Sequence, residues 1–541
     1  MNSHRAGGRE PEPGLWFLTS GTAGATADAV GQKAAGLMRM AAAGLPVPPG
    51  FVLDTGVCQD YCGADRQLGE EVITLVTRGI QQLERETGKR LGGARRPLLV
   101  AVRSGAAVSM PGMLETILNV GLCEGTLPGL LRASGDPRFA WDSYRRLIES
   151  FGEVVHGCSP ASFTTVLTEA LRNAGEPDVA ELDCAALRES VSGLKAVYKS
   201  SAGRPFPQDP MEQLLGAIEA VMRSWKSARA VEYRRLKGLD NLAGTAVTVQ
   251  AMVFGNMGIT SGSGVGFSRD PATGERRLYS DFLLNAQGED VVSGRFAAGG
   301  PDELVDAIPG LAGKLNEAGR KLEAIFGDAQ DFEFTVEDGT LWLLQTRSAK
   351  RTPRAALQIA CDLVDEGLIE PRTACARLRD YDLDTISTPR LAPGLDAEPV
   401  GKATPASSGV AVGPLALTIE DARRLAEQGT PAILVRPDAA TEDIAGLAVC
   451  QGLLTAAGAR TSHAAVVARE LGLVCLVGCT SLSFGPAAGT LRIGAWQGGS
   501  GDVITVDGSA GRIYPGAFEL VREQPADLIE KVRTWQRDLA A

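Results

Sequence analysis

Gly452-Leu-Leu-Thr-Ala-Ala-Gly-Ala-Arg-Thr-Ser-His-Ala-Ala-Val-Val-Ala-Arg469 carries the plainest structural signal in the chain. Gly452 to Thr455 suits a buried strand, Ala456 to Arg460 a small-residue turn, and Ala464 to Leu471 a helix. Thr461 or Ser462 is placed to cap that helix by accepting from its first amides. His463 then stands in the first helical turn, where free N–H groups and the helix dipole favour negative charge. A phosphoryl group on that ring would be stabilised without a full counter-ion and would stay transferable. Ala464 and Ala465 leave room for a bulky donor. The same residues would equally suit a histidine that only packs against or caps a helix.

Outward from this stretch, strands are expected near Val410, Ala432 to Val435, Val474 to Val477 and Val503 to Val506, which makes 406–520 a compact α/β unit. Upstream, 385–405 is rich in proline and glycine and reads as a linker. Downstream, 521–541 reads as one polar helix or tail. Residues 1–384 mix both element types. A helix is expected over 31–45, a strand over Phe51 to Leu53, and a strand over Pro97 to Val102 that enters a polar turn at Arg103-Ser104-Gly105. A helical insert spans about 125–235, with breaks near Gly135, Gly175 and 203–210. Strands return over Thr245 to Val253 and Phe332 to Leu344. The class is α+β / α/β, in several domains.

The 541 residues suffice for three or four cores. Lys and Arg number 54 against 65 Asp and Glu, a net charge of −11 with no long basic run, which argues against nucleic-acid or membrane partners. No apolar run reaches membrane-spanning length, and the polar start, Met1 to Gly14, has no signal-peptide core, so a cytoplasmic location is expected. Ten scattered cysteines and three histidines do not form a zinc pattern, and reduced, buried thiols are expected. Cys58 and Cys62 lie one helical turn apart.

Asp331-Phe-Glu-Phe-Thr-Val-Glu-Asp-Gly-Thr-Leu-Trp-Leu-Leu-Gln-Thr-Arg347 reads as a β-hairpin. Alternation puts Asp331 with Glu333 on one face of the first strand, and Gln345 with Arg347 on one face of the second. A two-residue Asp338-Gly339 turn would pair Glu337 with Thr340 and part these sets. A three-residue Glu337-Asp338-Gly339 loop pairs Val336 with Thr340 and sets Asp331 opposite Gln345. Phe332, Phe334, Trp342 and Leu344 then share the buried face. We expect the three-residue loop. The result is a wall of carboxylates for Mg²⁺ with an arginine for phosphate oxygens; a surface hairpin with routine polar pairs is the alternative. Phe254 to Gly266 supplies a glycine-rich loop, with Thr260, Ser261, Gly262, Ser263 and Gly264 expected to cradle phosphates through backbone amides. It is neither a Walker A loop nor a dinucleotide fingerprint. Lys33 and Arg103 are two further candidate cations.

Several long motifs together resemble the pyruvate, phosphate dikinase family: Gly31-Gln-Lys-Ala-Ala-Gly-Leu37, Gly44-Leu-Pro-Val-Pro-Pro-Gly-Phe51, Val102-Arg-Ser-Gly-Ala106, Ser109-Met-Pro-Gly-Met113, Gln250-Ala-Met-Val-Phe-Gly-Asn-Met-Gly258, Phe282-Leu-Leu-Asn-Ala-Gln-Gly-Glu-Asp290, Leu344-Gln-Thr-Arg347 and Thr461-Ser-His-Ala-Ala-Val-Val-Ala-Arg469. They run in order from about residue 15 to 520. The resemblance implies an ATP-grasp-type nucleotide-binding domain, 1–384, and a swivelling phosphohistidine domain. It implies that Lys33, Arg103, Asp331, Glu333, Gln345 and Arg347 hold ATP phosphates and Mg²⁺, with Asp331, Glu333 and Gln345 on the metal. Gln250 to Val253, Met252 among them, would line the adenine. His463 would carry the phosphoryl group, with Arg103 and Arg347 assisting, and Thr461 matches a threonine that regulatory kinases modify in some relatives.

Two departures stand out. The family usually has arginine where Ala107 stands, which bears on inorganic phosphate as a substrate. The family's pyruvate-binding barrel needs roughly 250 residues, and no such stretch follows the histidine domain here. The expected activity is therefore transfer of the β-phosphoryl of ATP to His463, with the γ-phosphate going to phosphate or water. The acceptor would be pyruvate on a separate barrel protein. The alternatives are a stand-alone phosphotransferase for another small molecule and a nucleotide-sensing module without catalysis.

Overall fold

A computed structural model describes residues 13–19, 25–63, 68–108, 110, 113–292, 308–394, 397–438, 443–458, 460, 462–485 and 489–540. By compactness the chain does not divide at 384. One unit comprises Met1–Ile259 with Trp342–Thr346, the other Thr260–Leu341 with Arg347–Ala541.

The first unit is built on an antiparallel sheet of five strands: β1 (Leu15–Phe17), β2 (Gly50–Leu53), β3 (Val100–Gly105), β4 (Thr116–Val120) and β5 (Ala246–Ala251), in the order β1-β2-β5-β3-β4. Every residue of β2 and β5 is buried, because helices cover the sheet. On the helix Glu70–Thr87, Gly79 abuts the Phe51 ring, where an added Cβ would lie 2.6 Å away. The polar turn expected at Arg103-Ser104-Gly105 is instead the end of β3. β5 is long enough to pair all three residues, with Thr248, Val247 and Ala246. Helix α1 (Ala27–Ala42) precedes β2, and α2 (Thr55–Gly63) follows it. The helical insert lies between β4 and β5, and its breaks at Gly135, Gly175 and Gly203 are left-handed C-caps.

In the second unit, β6 (Gly262–Phe267), β7 (Tyr279–Leu284), β8 (Gln330–Glu337) and β9 (Thr340–Ser348) form a sheet in the order β7-β6-β8-β9. Gly262, Gly264 and Gly266 make one face of β6 flat, and Phe282, Phe334 and Phe332 lie over them. A Cβ on Gly264 would sit 2.4 Å from the Phe334 ring and 2.6 Å from the Asp281 carbonyl oxygen. Gly264→Ala should therefore destabilise the protein by about 1–3 kcal/mol, as overpacking does. Denaturant unfolding followed by circular dichroism checks this, and an unchanged midpoint would refute it.

The hairpin turn corrects an expectation. β8 ends at Glu337 and β9 begins at Thr340, with φ of 46° at Asp338 and 73° at Gly339, so the loop has two residues and is a type I′ turn. Its twist matches that of the strands, which favours it over the three-residue loop. The polar faces still meet, for another reason. Between the turn and the bond from Ala349 N–H to the Ala329 carbonyl, β9 advances one residue further than β8. That extra residue is a bulge, and it restores the parity the longer loop was needed for. The buried set differs accordingly: Leu341 and Leu343 are buried, as are Phe332 and Phe334, while Trp342 and Leu344 are only half-buried.

Residues 385–405 are not a bare linker, since β10 (Thr388–Leu391) lies within them and pairs with β22 (Leu520–Glu523). The expected helix over 521–541 accordingly starts only at Ala526, after β22, and runs to Ala540. It packs on the helices Pro353–Asp365 and Pro371–Arg377, burying Ile529 and Val532 among Leu357, Cys361 and Leu378. Between the ribbon strands lies an eight-stranded mixed sheet: β11 (Gly401–Lys402), β12 (Thr404–Ser407), β13 (Val410–Ala416), β14 (Ile433–Arg436), β15 (Gly452–Thr455), β16 (Val474–Val477), β20 (Val503–Asp507) and β21 (Arg512–Pro515). Their order is β11-β21-β20-β13-β14-β15-β16-β12, with β13 to β16 parallel. A small sheet of β17 (Leu482–Phe484), β18 (Thr490–Ile493) and β19 (Trp496–Gly499) stands beside it.

All ten cysteines are free thiols. Among the described residues no helix is long and apolar enough to cross a membrane.

Candidate functional site

In the first unit, α1 is broken at Gly31, whose φ is 77° and whose Cβ would come within 2.3 Å of the Gly105 carbonyl oxygen. Only glycine fits there, and the close approach lets Gln32 N–H bond the Ala106 carbonyl at 2.9 Å. Lys33 is thereby fixed beside the end of β3. Arg103, on that strand, donates from Nη1 to the Leu344 carbonyl at 3.2 Å, and Gly36 of α1 abuts Thr346. The stretch flanking Gln345 thus touches both α1 and Arg103, so three expected residues, Lys33, Arg103 and Gln345, share one neighbourhood. Gln250 lies on β5 with its Nε2 bonded to the Pro48 carbonyl at 3.1 Å; Met252 is buried and Val253 half-buried just beyond the strand.

In the second unit, the glycine-rich stretch is only partly a loop. Gly262, Ser263 and Gly264 belong to β6, which is paired on both sides, with β7 and with β8. The amides of a central strand are spent in its ladders, so these three do not cradle phosphate as a loop would. Ser263 Oγ lies 3.0 Å from Thr335 Oγ1. Thr260 and Ser261 do lie in the preceding loop, where Thr260 donates to Asp338 Oδ1 and Ser261 Oγ accepts from Asp338 N–H.

The other face of this sheet mixes apolar side chains with three carboxylates. The ladder places Asp331, Glu333, Phe267, Val265, Tyr279 and Asp281 together on it. Arg347 Nε donates to Asp331 Oδ2 at 2.7 Å. Burial holds the Asp331 carboxyl above its ordinary range, with Arg347 offsetting this only in part. Such a site favours an added cation. Among the described residues no three His, Cys, Asp or Glu side chains gather as a metal cluster. Two carboxylates on one face, completed by substrate phosphates, are nevertheless what Mg²⁺ commonly takes.

His463 opens the helix His463–Glu470, and Ser462 is the N-cap, its Oγ accepting from Ala465 N–H at 3.4 Å. Thr461 lies outside the described residues. Ala464, Ala465 and Ala468 bury the helix against Ala406, Cys475 and Val477. Residues just before the helix and in its last turn reach this face of the four-stranded sheet. Arg460 Nε bonds Asp281 Oδ1 at 2.6 Å, its Nη2 bonds the Ser280 carbonyl, and its guanidinium lies 4.8 Å from the Tyr279 ring centre. Arg469, fully buried, donates to the carbonyls of Ala406 and Arg460 and faces the Phe267 and Tyr279 rings. Glu470 pairs with Lys350 at 2.6 Å. The helix that begins at His463 is therefore latched onto the face that carries Asp331 and Glu333.

Arg460, Arg469, Tyr279 and Asp281 were not anticipated. Both arginines lie within the opening motif, and two such charges in a run of small residues were the available signal. Asp281 is 2% exposed on its side chain, so Arg460→Ala removes a charge-assisted bond of 2.6 Å to a buried carboxylate, a loss of about 1.5–3 kcal/mol or roughly 10- to 100-fold. Rapid-quench labelling from ATP should slow by that factor while nucleotide affinity is kept. The charge-swapped pair Asp281→Arg with Arg460→Asp should recover part of the rate. Wild-type kinetics in Arg460→Ala would refute the latch.

Known proteins resemble this chain over most of its length. The family model "Pyruvate phosphate dikinase, AMP/ATP-binding domain" matches residues 64–310 and 303–367, more than half of the chain. The chain belongs to the pyruvate, phosphate dikinase family. The model "PEP-utilising enzyme, mobile domain" matches 429–511, which holds His463. Among dikinase relatives, pyruvate, phosphate dikinase of Clostridium symbiosum is 42% identical over 509 residues, 94% of this chain and 58% of the relative. That of Rhizobium meliloti (strain 1021) is 41% identical over 520 residues, again 94% and 58%. Pyruvate, phosphate dikinase 2 of Zea mays is 44% identical over 489 residues, 90% and 55%. The chain thus spans somewhat over half the length of these dikinases.

Proposed function

We propose that this chain takes the β-phosphoryl of ATP onto His463 and passes it to an acceptor, pyruvate by analogy with the named relatives. A neutral imidazole nitrogen attacks the β-phosphorus, the bond to the α-phosphate oxygen breaks, and AMP leaves. The γ-phosphoryl goes to inorganic phosphate or to water. The observation that carries this reading is the latch that holds the His463 helix on the face bearing Asp331 and Glu333.

In this reading Asp331 and Glu333 hold Mg²⁺, with Gln345 as a further oxygen donor, and the ion when bound neutralises phosphate charge. Lys33, Arg103 and Arg347 offset charge that builds on the phosphates. Gln250, Met252 and Val253 contact the base, and Thr260 and Ser261 the phosphate chain. The helix N-terminus with its Ser462 cap stabilises the dianion on His463.

Ala107 brings no charge where the family usually has arginine. That favours water over phosphate as the γ-acceptor, with AMP and phosphate rather than pyrophosphate as products. Incubation with ATP and Mg²⁺, with and without phosphate, followed by assay of AMP, pyrophosphate and acid-labile phosphoprotein tests both statements. Absence of AMP would refute the function, and phosphate-dependent pyrophosphate would refute the choice of water. Discharge of the phosphoprotein by pyruvate, scored as phosphoenolpyruvate, tests the acceptor. Discharge by another small molecule instead would replace it.

A further inference from the structure

α2 is a short helix of the first unit with no part in the chemistry above. Cys58 and Cys62 stand four residues apart on it, on one face, and within hydrogen-bonding reach of each other. Both line one cavity of about 320 Å³ with Gln59, Trp225, Lys226 and Ala243. Cys58 is fully buried, while Cys62 is half-buried and opens to the cavity. The Lys226 ammonium bonds the Cys62 carbonyl at 2.9 Å, so a cation stands beside the thiols.

We infer that Cys58 and Cys62 are a dithiol site that reacts with small oxidising disulfides and closes to a disulfide within α2. The cavity admits the reagent to Cys62 first. The Cys62 thiolate attacks one sulfur of the reagent, the reagent's S–S bond breaks, and one thiolate leaves and is protonated by water. Cys58 then attacks the sulfur of Cys62, its proton goes to solvent, and the second reagent thiol departs. Two protein thiols are oxidised by two electrons, and the disulfide reagent is reduced to two thiols. The order follows from access: Cys58 is fully buried while Cys62 opens to the cavity, so the reagent meets Cys62 first and Cys58, reaching only the sulfur of Cys62, acts as the resolving thiol through its thiolate.

Closure also has a structural requirement. Helical residues four apart have Cβ atoms about 5–6 Å apart, and a disulfide needs about 3.5–4.5 Å. The turn between them must tighten. It is the last turn of α2, which ends at Gly63, where distortion costs least.

The test is treatment of the intact chain with oxidised glutathione, then peptide mass mapping. Wild type should lose two hydrogens across the peptide holding Cys58 and Cys62, reversibly with dithiothreitol. Cys58→Ser should instead keep a glutathione adduct on Cys62, and Cys62→Ser should show no modification at Cys58. An unreacted Cys62 in wild type, or a glutathione adduct that persists there, overturns the inference. Wild type alone decides pairing, so it does not depend on either variant folding.

Discussion

His463→Ala is expected to remove acid-labile ³²P labelling from β-labelled ATP down to background while ATP still binds. In the proposed function the nitrogen that attacks phosphorus is lost, and the neighbouring hydroxyl of Ser462 caps the helix and would give a phosphoester that survives acid. Loss of a nucleophile usually costs at least ~10³-fold in rate. The fold should tolerate the change. Ser462 still caps the helix, Ala464, Ala465 and Ala468 still bury it, and alanine is the best helix former. A change in stability within about 0.5 kcal/mol is therefore expected. Binding of a fluorescent ATP analogue and thermal unfolding serve as controls beside the labelling. Label retained in the variant would mean that another residue carries the phosphoryl group.

The second large effect is expected at Glu333. Glu333→Ala should lower AMP release by about 10²–10³-fold, the usual scale for removing a group that stabilises charge in the transition state. Glu333 is half-buried, and its removal leaves the Asp331–Arg347 pair in place, so unfolding should hardly change. Asp331→Ala should differ: it strips Arg347 of its 2.7 Å partner and should cost about 1–3 kcal/mol of stability as well as the chemistry. Comparing the two variants separates catalysis from folding. Raising Mg²⁺ should partly restore Glu333→Ala. Full AMP formation with wild-type dependence on Mg²⁺ would remove Glu333 from the metal site.

The histidine domain was the most legible part of the sequence. Gly452–Thr455 and Val474–Val477 are strands at the expected residues, because continuous apolar runs between turn residues leave a buried parallel strand little latitude. Misreadings arose where pairing at a distance decides. Arg103 to Gly105 look like a turn until β5 is seen to pair them. Gly262 to Gly266 look like a loop until three phenylalanines on neighbouring strands are seen to need a flat surface. The hairpin is subtler: local sequence cannot place a bulge, yet face parity could be argued from the residue types. For the site, cations and carboxylates announce themselves by type. Asp281 and Arg460 are found only when two segments 179 residues apart are brought together.

β10 and β22 carry the chain into and out of the histidine domain side by side, and the returning strand leads straight into a helix anchored on the same base. Two hydrogen-bonded strands resist being pulled apart but yield to torsion, so in the proposed function the ribbon would serve as a pivot. If His463 carries the phosphoryl group as proposed, such a pivot would leave it an arc of roughly fixed radius. An acceptor would then lie along that arc, and the phosphoryl group would travel like a load on a crank. Extra residues in one strand alone should skew the arc, whereas equal insertions in both should lengthen its radius and keep its plane.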